Sequence, residues 1–285
     1  MISQAKLNKE IDLIIENAIR EDVGPGDYSS LSCIPSDATG KAKLLVKEAG
    51  IIAGVSFACN VFNYVDPSLD VEILIKDAAE VKVGDIVFYV SGNSQSILKA
   101  ERLVLNAMQR MSAIATKTKH YANLLEGTKT KILDTRKTTP GFRALEKIAV
   151  KIGGGENHRF ALYDMVMLKD NHIDFAGGIT LAIQKTQKFL AENNLDLKII
   201  VEARDLTEVK EILAAGGVYR ILLDNFNYET TRKAVEIIGD QCLTESSGGI
   251  NEETLVEYAK CGVDYISSGA LTHSVYNMDL SLKAV

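Results

Sequence analysis

In the first twenty residues the hydrophobic positions recur at helical spacing. Leu7, Ile11, Ile14, Ile15, Ala18 and Ile19 fall near one face, and Gly24-Pro25-Gly26 ends the pattern. An amphipathic opening helix is predicted. Short β-like runs follow at 42–46, 71–75 and 86–90, separated by Gly, Asp and Pro turns, with a helical stretch at 55–65. From Ile97 to Glu126 neither Gly nor Pro interrupts the chain, and Ser94-Gln95-Ser96 offers a cap for one long helix. The first hundred residues therefore predict a small α+β unit, and the long helix a join between two domains.

After Thr130 the pattern changes to short apolar runs that end on a polar residue and are followed by helical stretches. The runs are 131–133 ending at Asp134, 165–168 at Lys169, 199–201 at Glu202, 221–223 at Asp224, 242–244 at Glu245-Ser246, and 265–266 at Ser267-Ser268-Gly269. The last four share a period, with 22, 22 and 21 residues between Glu202, Asp224, Ser246 and Ser267. One strand, one crossover helix and two short loops fill such a period, and repeated right-handed βα units form a parallel barrel or a doubly wound sheet. The barrel is favoured because it brings all these polar strand ends to one mouth. Only six strands are legible, so the barrel is expected to be incomplete or to hide a strand, for instance near 160–163. Domain limits are expected at 1–112 and 113–270, with a tail, 271–285, packing back on the first domain.

Composition narrows the function. A hydrophobic fraction of 46%, a charged fraction of 25% and a formal charge of −6 suit a globular protein and argue against a nucleic-acid partner. No apolar run reaches the ~20 residues of a membrane span, and the first residues lack a signal-peptide core, so a soluble cytoplasmic protein is expected. Cys33, Cys59, Cys242 and Cys261 are scattered and predict buried small hydrophobes, not a disulfide framework or a zinc site. Against this acidic background, the segment from Asp134 to Ile173 holds seven Lys or Arg and five Asp or Glu. It predicts an anion site.

Within that segment, Arg136, Lys137, Arg159 and Lys169, with His158, repel one another unless anions neutralise them. Arg143, Lys147 and Lys151, four residues apart, instead predict a solvated helix face. Gly153-Gly154-Gly155 follows a helical stretch at 142–152 and is expected to terminate it. Glu202 and Asp224 either hold ribose hydroxyls, support a divalent metal or stabilise a sugar carbocation, or they cap the helices that follow. Ser246-Ser247-Gly248-Gly249 and Ser267-Ser268-Gly269, after the last two strands, predict a phosphate cradle. His273 is placed near that cradle, His172 is expected to support the mouth by a hydrogen bond, and His120 is taken as a surface or packing residue.

These motifs resemble a known family, the quinolinate phosphoribosyltransferases. The resemblance rests on Arg136-Lys137-Thr138-Thr139-Pro140-Gly141, Gly154-Gly155-Glu156-Asn157-His158-Arg159, Lys169-Asp170-Asn171-His172, Leu223-Asp224-Asn225-Phe226 and Ser247-Gly248-Gly249-Ile250. Ala100 to Asn106 and Glu21 to Asp27 extend it toward the amino terminus. Ala161, where the family pattern has Gly, and the pair Ala203-Arg204 depart from it. The resemblance implies an α/β fold: an amino-terminal α/β sandwich and an incomplete parallel (β/α) barrel of the type II phosphoribosyltransferase kind. It also implies that phosphoribosyl pyrophosphate (PRPP) and quinolinate give nicotinate mononucleotide, pyrophosphate and CO2, with Mg2+.

Site roles follow from the same resemblance. Quinolinate binding is implied for Arg102, Thr135, Arg136, Lys137, His158, Arg159 and Lys169, and catalysis for Lys137, Lys169, Glu202 and Asp224. PRPP or phosphate binding is implied for Glu202, Asp224, Ser246, Ser247, Gly248, Gly249, Ser267, Ser268, Gly269 and His273, with Glu202 and Asp224 toward the metal. A homodimer is implied, in which Arg102 enters the neighbouring subunit's site. Rival readings are a sister transferase of molybdenum-transport operons, a sugar-phosphate aldolase with Lys169 as Schiff-base lysine, and a non-catalytic phosphate-binding protein.

Overall fold

A computed structural model describes residues 2–285. Helix α1 (Gln4–Val23) is followed by α2 (Tyr28–Cys33), β1 (Thr39–Val46), β2 (Gly50–Ile51), α3 (Val55–Val65), β3 (Asp70–Ile73), β4 (Glu80–Val81), β5 (Ile86–Asn93) and α4 (Ser94–Leu124). Then come β6 (Lys131–Leu133), α5 (Arg143–Ile152), β7 (Val166–Leu168), α6 (Asp170–Ala176), α7 (Ile179–Glu192), β8 (Ile199–Ala203) and α8 (Leu206–Ala215). The chain ends with β9 (Arg220–Asp224), α9 (Tyr228–Ile238), β10 (Leu243–Ser247), α10 (Leu255–Lys260), β11 (Tyr265–Ser267), α11 (Ala270–His273) and β12 (Leu280–Ala284). Two compact units divide it: Ile2–Lys119 with Thr138–Gly154 and Leu271–Val285, and His120–Lys137 with Gly155–Ala270.

The first unit is built on an antiparallel sheet in the order β12-β1-β5-β3, so the carboxy-terminal strand pairs with the first strand of the chain. Phe62 of α3 meets Phe88 of β5 edge to face, with ring centroids 5.8 Å apart. The buried face of α4 carries Ser112 and Thr116, whose hydroxyls accept the backbone N–H groups of Ala53 (2.9 Å) and Ile51 (2.8 Å). Backbone groups beside the short strand β2 thus find partners on a helix. The cap of α4 is Asn93, whose Oδ1 accepts from Ser96 N, so the predicted Ser94 to Ser96 cap lies already inside the helix.

Two further expectations change in this unit. Lys147 is 3% exposed on α5, while Lys151 is exposed and Arg143 half-buried and bonded to Thr138 Oγ1. The three basic residues are therefore not one solvated face, because α5 packs against α1 and α4 rather than lying on the surface. Gly153 does end α5, and it also lies so close to α4 that a Cβ would overlap the Ala115 carbonyl oxygen. Of the four thiols expected to be buried, Cys261 is; Cys59 and Cys242 are half-buried, and Cys33 is exposed on the short surface helix α2.

The second unit holds a six-stranded parallel sheet in the order β6-β11-β10-β9-β8-β7. This is the expected incomplete barrel. No strand forms at 160–163; that segment is a turn in which Asp164 accepts from Phe160 N (2.8 Å) and Ala161 N (2.7 Å). At the β6 edge, Glu156 bridges to Leu133 and supplies the pairing a further strand would give. Ile199, Ile200 and Val201 of β8 are buried, each contributing about 1.5–3 kcal/mol. Such apolar anchors fix where the polar strand ends emerge.

Candidate active site

The register of the parallel sheet decides which strand-end side chains share a face. Glu202 pairs with Leu222, Ser247 with Asp224, Glu245 with Tyr265, and Met167 with Ile200. Because side chains alternate along a strand, Glu202, Asp224, Ser247 and Ser267 project on one face, with Lys169 continuing from β7. The structure therefore brings these predicted residues together. Ser246 falls on the opposite face, where it is 1% exposed. Ser268 donates its backbone N–H to Leu133 O (3.0 Å) and its hydroxyl to Ile250 O (3.3 Å), so it ties three loops together instead of pointing an O–H outward.

Glu202 and Asp224 do not cap helices. The α8 cap is Asp205, which accepts from Thr207 N and Glu208 N, and the α9 cap is Asn227, which accepts from Thr230 N. Glu202 is 8% exposed, and its Oε2 is buried without a hydrogen-bond partner among the described residues. Burial raises its pKa above the usual carboxylate value; the Lys169 ammonium opposes this, while Asp224 and Asp170 add to it. A buried carboxylate held near a lysine and without a full set of partners is suited to a ligand that brings donors or a cation.

In the same unit, the basic residues are set by a second network. Asp134 is fully buried and accepts from His158 N (2.8 Å) and Asn157 Nδ2 (2.6 Å). His158 Nδ1 accepts from Arg159 N (2.7 Å), which puts the proton of the neutral ring on Nε2, and Nε2 faces Glu245 Oε2 at 3.5 Å. His158 thus has Nδ1 hydrogen-bonded within the unit and Nε2 near a carboxylate without a hydrogen bond of normal geometry. Glu245 is also paired with Arg220 (2.7 Å), whose guanidinium lies 4.0 Å from the Tyr265 ring centroid. Burial alone would raise the Glu245 pKa, but His158 and Arg220 together hold it down to about 2.

Arg159 is buried, with Nη1 donating to Met165 O (3.2 Å), and Arg136 is half-buried with its Nε shielded and unpartnered among the described residues. The Arg159 pKa is lowered first by burial and then by the Arg136 charge. Two guanidinium groups held close enough to repel call for an anion between or beside them. Thr135 Oγ1 accepts from Lys137 N, and Lys137 and Lys169 are exposed. His172 Nδ1 accepts from Lys169 N (3.1 Å), the predicted support, and His120 pairs on the surface with Glu252 (2.6 Å). Gly248 and Gly249 have φ of 100° and 61°, conformations that favour glycine. Gly269 follows β11 in the loop after Ser268.

Arg102 and His273 belong to the other unit. Arg102 is exposed on α4, and His273 is exposed with Nδ1 2.7 Å from Ser274 Oγ. Sequence reasoning missed Glu245, Arg220 and Asn225 as parts of the site. The available signal for the first two was a charge of each sign inside neighbouring apolar strands, since such charges are buried only when paired. The departures from the family pattern are accommodated. Ala161 does not adopt a positive φ, and Arg204 pairs with Glu208 (2.6 Å) and Asp174 (3.3 Å).

The whole chain is similar to known proteins. The pattern described as "Quinolinate phosphoribosyl transferase, C-terminal domain" matches residues 114–283, and that of the N-terminal domain matches residues 27–112. The chain is 46% identical to the chloroplastic nicotinate-nucleotide pyrophosphorylase [carboxylating] of Arabidopsis thaliana, covering 96% of this chain and 82% of that one. A probable enzyme of that name from Bacillus subtilis is 37% identical, covering 96% and 93%. The solved nicotinate-nucleotide pyrophosphorylase of Francisella tularensis superposes with a TM-score of 0.90 at 37% identity, covering 98% and 97%. With both domain patterns matched in order along nearly the whole length, the chain belongs to the quinolinate phosphoribosyl transferase family.

Proposed function

We propose that the barrel mouth transfers the phosphoribosyl group of PRPP to quinolinate and releases pyrophosphate and CO2, giving nicotinate mononucleotide for NAD biosynthesis. The observation that carries this reading is that one unit holds two kinds of incompletely neutralised charge. Arg136 and Arg159 lie close enough to repel, and Glu202, whose Oε2 has no hydrogen-bond partner among the described residues, lies near Asp224. Paired guanidiniums match a dicarboxylate, and the two carboxylates match a ribose that gains positive charge at C1.

The reaction needs no covalent nucleophile. As the ribose–pyrophosphate bond lengthens, Glu202 and Asp224 favour the oxocarbenium character of C1, and the quinolinate nitrogen, aimed by Arg136 and Arg159, attacks it. Lys137 and Lys169 supply positive charge to the carboxylates and the leaving oxygens. The carboxylate next to the ring nitrogen then leaves as CO2, the electron pair of the broken C–C bond stays on C2 as an ylide stabilised by the cationic nitrogen, and that carbon takes up a proton to give the pyridinium ring of nicotinate mononucleotide. Ser247, Gly248 and Gly249, with Ser267 and Gly269, are read as holding the 5′-phosphate, and Ser246 and Ser268 as shaping those loops.

Mg2+ fits these residues as a companion of PRPP. No group of three or more His, Cys, Asp or Glu able to hold a metal exists among the described residues. Magnesium is commonly held through one or two carboxylates plus substrate phosphates, and Glu202 and Asp224 supply that number. When bound, the ion would neutralise the departing pyrophosphate. No helix among the described residues is long and apolar enough to cross a membrane. We place the enzyme in the cytoplasm as a homodimer, with Arg102 entering the partner's mouth; the Arabidopsis relative is named chloroplastic.

Ligand titration tests the assignment. Arg136→Ala or Arg159→Ala is expected to weaken quinolinate binding by about ten- to a hundredfold, the value of a lost charged hydrogen bond, and to change PRPP binding far less. Equal losses for both ligands would remove the dicarboxylate role. Incubation with aldehydes and borohydride should trap no imine on Lys169, which separates this reading from the aldolase one.

A further inference from the structure

Asn225 is one of three non-glycine residues with a left-handed backbone among the described residues, with φ 55°. It follows Asp224 directly at the end of β9, and three of its groups are engaged. The backbone N–H donates to Ser247 O (2.9 Å), which ties the β9 end to the β10 end. The side-chain Nδ2 donates to Asp224 Oδ2 (2.9 Å). The side-chain Oδ1 lies against Gly248, so closely that a Cβ at Gly248 would overlap it. One residue thus touches the ribose-side carboxylate and the first glycine of the phosphate loop.

The chemistry of this position selects an amide. Asn and Asp both tolerate the left-handed region, so backbone conformation alone would accept either. Asp here would place a second carboxylate at hydrogen-bond distance from Asp224, whereas the amide offers a donor to it. Gly would keep the backbone but leave Asp224 free to rotate and the Gly248 backbone without its neighbour. From these contacts we infer that Asn225 is a positioning residue, setting the spacing between Asp224 and the Gly248–Gly249 loop so that ribose and 5′-phosphate are gripped together. The inference rests on the reading of Asp224 and Gly248 as PRPP-binding groups.

Steady-state kinetics on the full chain with Mg2+ test it, using Asn225→Gly and Asn225→Asp, with circular dichroism to confirm that each variant is folded. The expected order of KM for PRPP is wild type, then Gly at roughly tenfold higher, then Asp at roughly a hundredfold higher, in line with loss of one hydrogen bond to a charged group and then added repulsion. KM for quinolinate should stay within about twofold, since only one ligand's uniform binding is touched. A role in shape alone predicts the reverse order, with the isosteric Asp near wild type, and that result would overturn the inference. So would equal changes for both substrates. Asp224→Asn separates the two levels: if it leaves KM for PRPP unchanged, the site reading itself fails; if it raises KM while Asn225→Asp does not, only the role of Asn225 fails.

Discussion

Glu245 shows how one buried side chain organises the wall that carries His158 and Arg159. It is fully buried, pairs with Arg220 at 2.7 Å and faces His158, the residue that receives the Arg159 N–H. Its pKa falls from 4.5 unfolded to about 2 folded. A lowered folded pKa adds stability that is fully present above about pH 4.5 and is lost as pH falls through 2. The shift corresponds to on the order of 3 kcal/mol. Glu245→Gln is accordingly expected to lower the urea unfolding free energy at pH 7 by roughly that amount, and the gap to wild type should shrink as the pH is brought from 4.5 toward 2. A gap independent of pH would mean that the Glu245 charge is not what stabilises the wall. Residues such as Glu202 and Asp224 were legible in the sequence because they interrupt apolar runs at a regular period. Glu245 and Asn225 were not, because their meaning depends on a cross-strand partner and on a left-handed backbone, neither of which spacing reveals.

At the level of elements, strand ends and helix starts carry separate tasks that the sequence left merged. A polar residue just before a helical stretch can be a cap or a ligand group, and Glu202 was open to both readings. The cap of α8 is Asp205, three residues later. Asp205→Ala is therefore expected to cost about 1 kcal/mol of stability, the usual value of an N-cap, with little change in kcat. Glu202→Gln should do the opposite, leaving thermal stability unchanged or raised while kcat/KM falls by about a hundredfold or more. Parallel melting curves and assays of the two variants check this, and a matched loss of stability in Glu202→Gln would return Glu202 to a structural role. The six strands and their order of use were legible from apolar runs. The packing of α5 was not. Gly153 read as a helix terminator, yet its close approach to Ala115 makes it also a packing residue. Gly153→Ala should destabilise the fold by about 1–3 kcal/mol, as overpacking does, measured by urea titration.

For the molecule as a whole, the question is whether one chain contains a complete site. The barrel unit supplies Arg136, His158, Arg159, Lys169, Glu202 and Asp224, while Arg102 lies exposed on α4 of the other unit, beside the buried Val104 and Leu105. In the proposed dimer each mouth combines one subunit's barrel with the partner's Arg102. Two-fold symmetry then makes a sharp demand on mixed subunits. Arg102→Ala and Lys169→Ala homodimers should each be nearly inactive, the first lacking the arginine in both mouths and the second the lysine. In a heterodimer of the two, one mouth carries both defects and the other carries neither. Random exchange makes half of the dimers mixed, so an equimolar mixture, unfolded and refolded together, should recover about a quarter of wild-type activity. If Arg102 instead served its own subunit's mouth, every mouth in the mixture would carry one defect or the other, and refolding would restore nothing above the sum of the separate variants.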